Sequence, residues 1–168
     1  MSNEGVPQHQ IGRIVKICLD TNVIIDILGK TDDFADSYAA FDVSILRRFE
    51  VFIPITSTTD IAYILPRRSL ASKQEAKQLL KNLFAIAEIL DARSVDAFKA
   101  LDSAMLDYED ALLAYMASRN GIDLIITRNT KDFEYSPVPV ITPHEFVQIY
   151  KPHDIEYATF ENGDIQTV

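Results

Sequence analysis

The stretch IVKICLDTNVIIDIL, Ile14–Leu28, decides the fold. Its first apolar run stops at a single carboxylate, Asp20, and Thr21 and Asn22 follow before a second apolar run begins. A short run of Ile, Val and Leu closed by a polar residue has the pattern of a buried strand that feeds a functional loop. Ligands of open parallel sheets bind beyond the carboxyl ends of the strands, which puts Asp20 at the mouth of a site. The second run carries Val23, Ile24, Ile27 and Leu28 at helical spacing and predicts a helix that stops near Gly29.

The alternation continues outward from there. Phe34, Tyr38, Phe41, Ile45 and Leu46 recur at helical spacing and predict a second helix. Val51 to Ile55 reads as a strand that runs into the polar cluster Thr56, Ser57, Thr58, Thr59 and Asp60 and then a helix. Ser69 to Asn82 predicts a helix, Phe84 to Leu90 a strand, and Asp96 to Leu101 a short helix. Asp107 to Asn120 is the clearest helix, with Asp107 as N-cap, an apolar stripe of Leu112, Leu113, Tyr115, Met116 and Ala117, and Gly121 as its stop. Asp123 to Thr127 and Pro137 to Ile141 read as strands, and Pro143 to Tyr150 as a closing helix with Pro at a helix-initiating position. Strands and helices joined by short links imply an α/β fold, a three-layer α/β/α sandwich on a mostly parallel central sheet. Residues 1–12 read as a loose tail, 13–150 as the domain, and 151–168 as a polar, acidic tail.

Composition narrows the function. The chain of 168 residues is long enough for one domain with its own core. Its 48% hydrophobic content and mean hydropathy of +0.02 are those of an ordinary globular protein. No window approaches the ~18 uncharged apolar residues of a membrane span, and MSNEGVPQHQ lacks the charge pattern of a secretory signal. The expectation is a cytoplasmic protein. Cys18 is the single cysteine, which excludes an internal disulfide and a cysteine-cluster metal site. The net charge of −9 argues against a general nucleic-acid-coating protein, but not against an enzyme that acts on nucleic acid.

Polar knots follow the strand-like runs or open the helices: Asp20 with Thr21 and Asn22; Thr59 with Asp60; Asp107 with Asp110; and Thr127, Arg128, Asn129 and Asp132. In a parallel sheet the strand ends share one edge, so knots far apart in sequence can converge. Crowded carboxylates repel one another unless a cation neutralises them, and an all-oxygen set suits Mg²⁺ or Mn²⁺. Each residue alone has an ordinary account as well. Asp107 is a good N-cap, Asp110 favours the helix dipole, Asp60 can help a helix begin, and Asp26 and Glu109 read as solvated helix charges. Asp20 resists this treatment, because an acid at the end of a buried strand needs a partner. His9, His144 and His153 do not look like catalytic bases.

Three segments carry a resemblance: LDTNVIIDIL at Leu19 to Leu28, DYEDALLAYMA at Asp107 to Ala117, and IITRNTKDF at Ile125 to Phe133, followed by PVPVITPHEF. Their order and spacing resemble those of PIN domains over about Arg13 to Tyr150. The resemblance implies a small α/β/α sandwich and a metal-dependent ribonuclease, in many members the toxin of a VapC-type toxin-antitoxin pair. It implies Asp20 and Asp110 as ligands of Mg²⁺ or Mn²⁺, with Asp60 and Asp107 completing or orienting the shell. Asp60 stands where the family usually has Glu, and Asn129 where many members have a fourth Asp, a loss that Asp107 or Asp132 can compensate. Thr21, Asn22, Thr127, Arg128, Asn129 and Asp132 are then the supporting or substrate-binding residues, and Arg67, Arg68, Lys73 and Lys77 a candidate basic patch for RNA. The partners implied are an RNA substrate, a cognate antitoxin and a second copy of the chain. The alternative is a catalytically weakened PIN fold that acts as an interaction module. An aspartyl-phosphate phosphatase is the weaker rival, since it wants a second Asp where the chain has Asn22.

Overall fold

A computed structural model of the protein describes residues 13–157. The reading of 1–12 as a tail lies outside the described residues, as does 158–168 of the C-terminal tail. The chain order is β1 Lys16–Leu19, α1 Thr21–Gly29, α2 Phe34–Leu46, β2 Glu50–Pro54, α3 Ile55–Arg67 and α4 Lys73–Leu83. It continues with β3 Glu88–Leu90, α5 Ser94–Leu101, α6 Tyr108–Arg119, β4 Leu124–Ile126, β5 Val140–Ile141 and α7 Pro143–Tyr150. A short 3-10 turn, Thr130–Phe133, links β4 to β5 and has no signature in the sequence reading above.

The five strands form one sheet in the order β3-β2-β1-β4-β5, and every pairing is parallel. Its two faces are both covered, as a parallel sheet requires. Ile17 and Leu19 of β1, with Leu124 and Ile126 of β4, face a core shared with α1, α2, α3, α4 and α7. Cys18 and Ile125 point the other way, into a core built with α5 and α6. Period-two alternation within uniformly apolar strands thus sorts each residue to one of two cores.

Two helices turn inward a face that only partly follows their large apolar residues. α2 turns Ser37, Ala40, Val43 and Ser44 inward, while Tyr38, Ile45 and Leu46 remain 45%, 44% and 46% exposed. α6 buries Ala111, Leu113, Ala114, Met116 and Ala117, and leaves Leu112 and Tyr115 at the margin. Small residues let both helix axes approach the body closely, so packing distance overrides bulk in choosing the inner face. Beyond α7 the chain stays on the body as far as Tyr157, which packs against the larger core and donates to Asp42 Oδ2 at 2.6 Å. Among the described residues no helix is long and apolar enough to cross a membrane.

Candidate active site

The central strands end side by side, and this sets the site. The Asp20 amide donates to the Ile126 carbonyl at 3.0 Å and the Thr127 amide to the Ile141 carbonyl at 3.0 Å, extending the ladder one step past β1 and β4. Asp20 and Thr127 are therefore adjacent, and Thr127 Oγ1 donates to Asp20 Oδ2 at 2.7 Å. Asp20 is also the N-cap of α1: its Oδ1 accepts from the Thr21 amide at 2.6 Å, and its Oδ2 from Asn22 Nδ2 at 2.6 Å. Burial pushes this carboxyl above its ordinary range, and the bonds from Thr127, Thr21 and Asn22 oppose that rise. Thr21 in turn shares a 2.6 Å hydroxyl contact with the buried Ser57 of α3. The partner that a buried strand-end acid needs is thus a cage of neutral donors.

An open cleft of about 300 Å³ lies over this edge. Asp20, Thr21 and Asn22 form one wall, Asp107, Glu109 and Asp110 a second, and Arg128, Asn129 and Asp132 a third. Ile25, Ile64 and Arg68 complete it. Eight of the ten residues singled out in the sequence therefore line one cleft. The two that do not are Thr127, buried behind Asp20, and Asp60, which stands on α3 in a hydrogen bond with Glu109. Glu109 occupies the wall instead, contrary to its reading as a solvated charge.

The second wall is the opening of α6. Asp107 is its N-cap and accepts from the amides of Glu109 at 2.8 Å and Asp110 at 3.1 Å. Partial burial, then the charges of Asp20, Asp107, Asp132 and Glu109, push the Asp110 carboxyl up to about 7. Glu109 is raised by burial and by the charges of Asp60, Asp20 and Asp107, and through its bond to Asp60. On the third wall Asn129 Nδ2 donates to Asp132, and the Asn129 amide donates to Thr127 Oγ1 at 3.0 Å.

Arg128 carries the cleft's cation beside the strand ends, and Asp26 is the other departure from expectation. Asp26 is not solvated: 1% exposed, it accepts from Thr31 Oγ1 at 2.5 Å and Ser37 Oγ at 3.0 Å and forms a 2.9 Å ion pair with Arg128 Nε. Of the candidate basic patch, Arg68 reaches the cleft, whereas Arg67 lies over the Tyr63 ring at 5.5 Å and donates to its hydroxyl. His144 pairs with Asp36 on the surface and His153 is exposed. Sequence reasoning missed Glu109, whose only signal is its place in the same helical turn as Asp110. It also missed Ser57, which has no signal beyond its polar run.

The donor set is all oxygen, its acids act on one another's charge, and among the described residues no salt bridge pairs a cation with Asp110. That chemistry fits a hard divalent ion. Among the described residues no three His, Cys, Asp or Glu side chains stand in an arrangement that could already hold one. Asp20 and Asp110 are the residues whose surroundings leave charge to be neutralised.

A doubly covered parallel sheet with an acidic cleft at its carboxyl edge is an open α/β sheet with its ligand-binding edge exposed. A PIN domain profile matches residues 16–131, and the chain belongs to the PIN domain family. The fold is also similar to that of chains in three solved assemblies. VapBC2 from Rickettsia felis bound to a DNA fragment from its promoter aligns at 17% identity with a TM-score of 0.58, over 76% of this chain and 98% of that one. VapBC-1 from nontypeable Haemophilus influenzae gives 15%, 0.59, 77% and 98%, and a toxin-antitoxin complex from Klebsiella pneumoniae 20%, 0.55, 76% and 97%. No curated protein matches the chain significantly.

Proposed function

We propose that the protein is a metal-dependent ribonuclease that hydrolyses RNA phosphodiester bonds, acting in the cytoplasm as the toxin of a toxin-antitoxin pair. The observation that carries this reading is the convergence of Asp20, Asp107, Glu109, Asp110 and Asp132, from three separate segments, on one cleft in which acidic neighbours and partial burial push Asp110 up to about 7. Membership of the PIN family and a fold shared with VapBC chains support it. An antitoxin, and a second copy of this chain, are the partners the reading implies.

Asp20 and Asp110 would hold Mg²⁺ or Mn²⁺, with Asp107 and Glu109 completing or orienting the shell and Asp60 fixing Glu109. When bound, the ion supplies an activated water and offsets the charge that develops at phosphorus. The chain's own residues do the rest. Thr127, Asn22 and the Thr21 amide fix the Asp20 carboxylate in one orientation, so it needs no reorganisation to act. Asp107, by capping α6, sets where Glu109 and Asp110 project. Arg128, Thr21 and Asn129 face the cleft and offer donors to the phosphate of a strand lying in it.

Purified protein with Mn²⁺ is expected to cleave single-stranded RNA, and Asp20→Asn to lose at least ~100-fold of that rate, since a buried, oriented charge is removed. Equal cleavage by wild type and variant would mean a contaminating nuclease and would end this reading. One observation favours a second reading: Asp60 lies outside the cleft and Asn129 is tied to Asp132, so the set is leaner than the family pattern. Calorimetric titration separates the two, because an interaction module without a metal site gives no Mn²⁺ binding at millimolar ion.

A further inference from the structure

Asp26 lies six residues beyond Asp20, inside the apolar sequence NVIIDIL of α1. Its side chain is 2% exposed. A carboxylate in such surroundings is costly unless it is paired and hydrogen-bonded, and this one is both. Thr31 and Ser37 satisfy it from the α1–α2 connection and from α2, and Arg128 Nε pairs with it at 2.9 Å. Arg128 arrives from the other side of the sheet edge, just past β4. Its amide donates to Asn22 Oδ1 at 3.3 Å, and Asn22 Nδ2 donates to Asp20. Its Nη1 donates to the exposed Asp33.

The guanidinium is thus held at two donors on different edges, Nε by Asp26 and Nη1 by Asp33. Its side chain keeps 40% exposure and lines the cleft, and among the described residues Nη2 has no partner. A surface staple would not need a buried carboxylate beneath it, and a free substrate-binding arginine would lose rotamer entropy on each encounter. A guanidinium clamped through Nε and Nη1, with Nη2 left to donate, satisfies both conditions.

We infer that Asp26 is a positioning residue: it clamps Arg128 on the rim of the carboxylate cleft so that the unpartnered Nη2 of the guanidinium binds a phosphate oxygen of the RNA strand. The inference rests on the ribonuclease reading and deepens it by assigning the site's phosphate contact and the buried group behind it. The paired cation, with Arg68 on the same cleft, also lets a polyanion approach its acidic walls.

The test is a double-mutant cycle in KM, measured with Mn²⁺ and a short single-stranded RNA. Arg128→Gln is expected to raise KM by ~10-fold or more, the value of a lost charge-assisted bond to phosphate, with a smaller change in kcat. Asp26→Asn should raise KM by ~3- to 10-fold in the wild-type background and by less than about twofold in Arg128→Gln, because its effect passes through Arg128. Arg128→Lys, which keeps the charge but not the fork, should fall between wild type and Arg128→Gln. Mn²⁺ affinity by calorimetry should stay within about twofold in all three variants. Equal effects of Asp26→Asn in both backgrounds would overturn the inference, as would a loss of Mn²⁺ binding in Arg128→Gln. If Asp26→Asn does not fold, the Arg128→Lys and Arg128→Gln pair still decides: unchanged KM in both sinks the phosphate contact. Failure of wild type to cleave any RNA is a separate result, which removes the ribonuclease reading itself.

Discussion

Helix α6 carries acidic clusters at both ends, and the two ends are in opposite electrostatic states. At its C-terminal end Arg119 donates to Asp96 through Nε and Nη2 and to Asp91 through Nη1. Burial works to raise Asp96, but bonds from Arg119 and the Arg93 amide outweigh it and hold the carboxyl below its usual range. Asp91 is lowered chiefly by the hydrogen bond from Arg119. At the N-terminal end Asp107, Glu109 and Asp110 meet Asp20 and Asp132, and both Glu109 and Asp110 are raised. One end neutralises its own acids and knits α5 to α6. The other leaves charge for something outside the chain to neutralise, and that asymmetry is what marks a site rather than a staple.

Breaking the staple should give the largest change in stability. Asp96 is 1% exposed, so Arg119→Ala strands a buried carboxylate, held only by the Arg93 amide. Removal of one partner of a buried pair costs about 3–5 kcal/mol, and urea denaturation should read a loss of that order. RNA cleavage per folded molecule is expected to be unchanged at a temperature where the variant remains folded, since nothing in the cleft has moved.

The N-terminal end should respond with the opposite sign. Asp110 titrates near 7 in the folded chain against an ordinary value of 3.8. Between those values the native state holds a proton that the unfolded chain has released, so stability falls as pH rises through the window. Asp110→Asn removes that penalty and should stabilise the ion-free protein at pH 8, by on the order of 1 kcal/mol after solvent screening, with no gain at pH 4. Acids held below their usual range behave in reverse: Asp91 and Asp96 lend stability above 3.8 that is lost on further acidification. Thermal melts of wild type and Asp110→Asn across pH 4 to 8 in a chelator check both signs. A destabilised Asp110→Asn at pH 8 would show that the end is structural after all.

The fold was legible where a strand has an apolar body, as in β1, β2 and β4, and where a helix has a punctuated start or stop. The expected strand Phe84 to Leu90 pairs only over Glu88–Leu90, because its first half forms the turn after α4. β4 falls within one residue of its expected bounds at either end, and α7 coincides with them at Pro143–Tyr150, while β1 ends where expected, at Leu19. What was not legible was which helix face turns inward. The rule of large apolar residues fails for α2, where Ser37 and Ala40 are buried and Tyr38 is not, because close approach of the helix axes matters more than side-chain volume. The site was legible where chemistry follows a strand end, as at Asp20, Asn22 and Arg128. It was not legible where a charge is placed by tertiary contact. Asp26 looks like any helix acid until Arg128 arrives from a segment 102 residues away in sequence, that is 128 − 26. Glu109 and Asp60 could not be paired from sequence, since the bond between them joins α6 to α3.

That last pair gives the smallest and most discriminating effect. The Glu109 carboxyl is raised by burial first, then by the charge of Asp60 and its contact with it. Glu109→Gln puts an amide donor beside Asp60 and removes one acid from the cleft wall. The change in stability should stay within about 0.5 kcal/mol, because the amide preserves the contact. Mn²⁺ affinity, read by calorimetry at pH 7.5, should fall by less than about tenfold, whereas Asp110→Asn should abolish detectable binding, since it removes an acid facing Asp20 directly. If Glu109→Gln instead abolishes binding, Glu109 is a ligand in its own right, and Asp60 acts as the carboxylate that orients it from behind. Asp60→Asn would then weaken Mn²⁺ binding to a similar extent, although Asp60 itself never reaches the cleft.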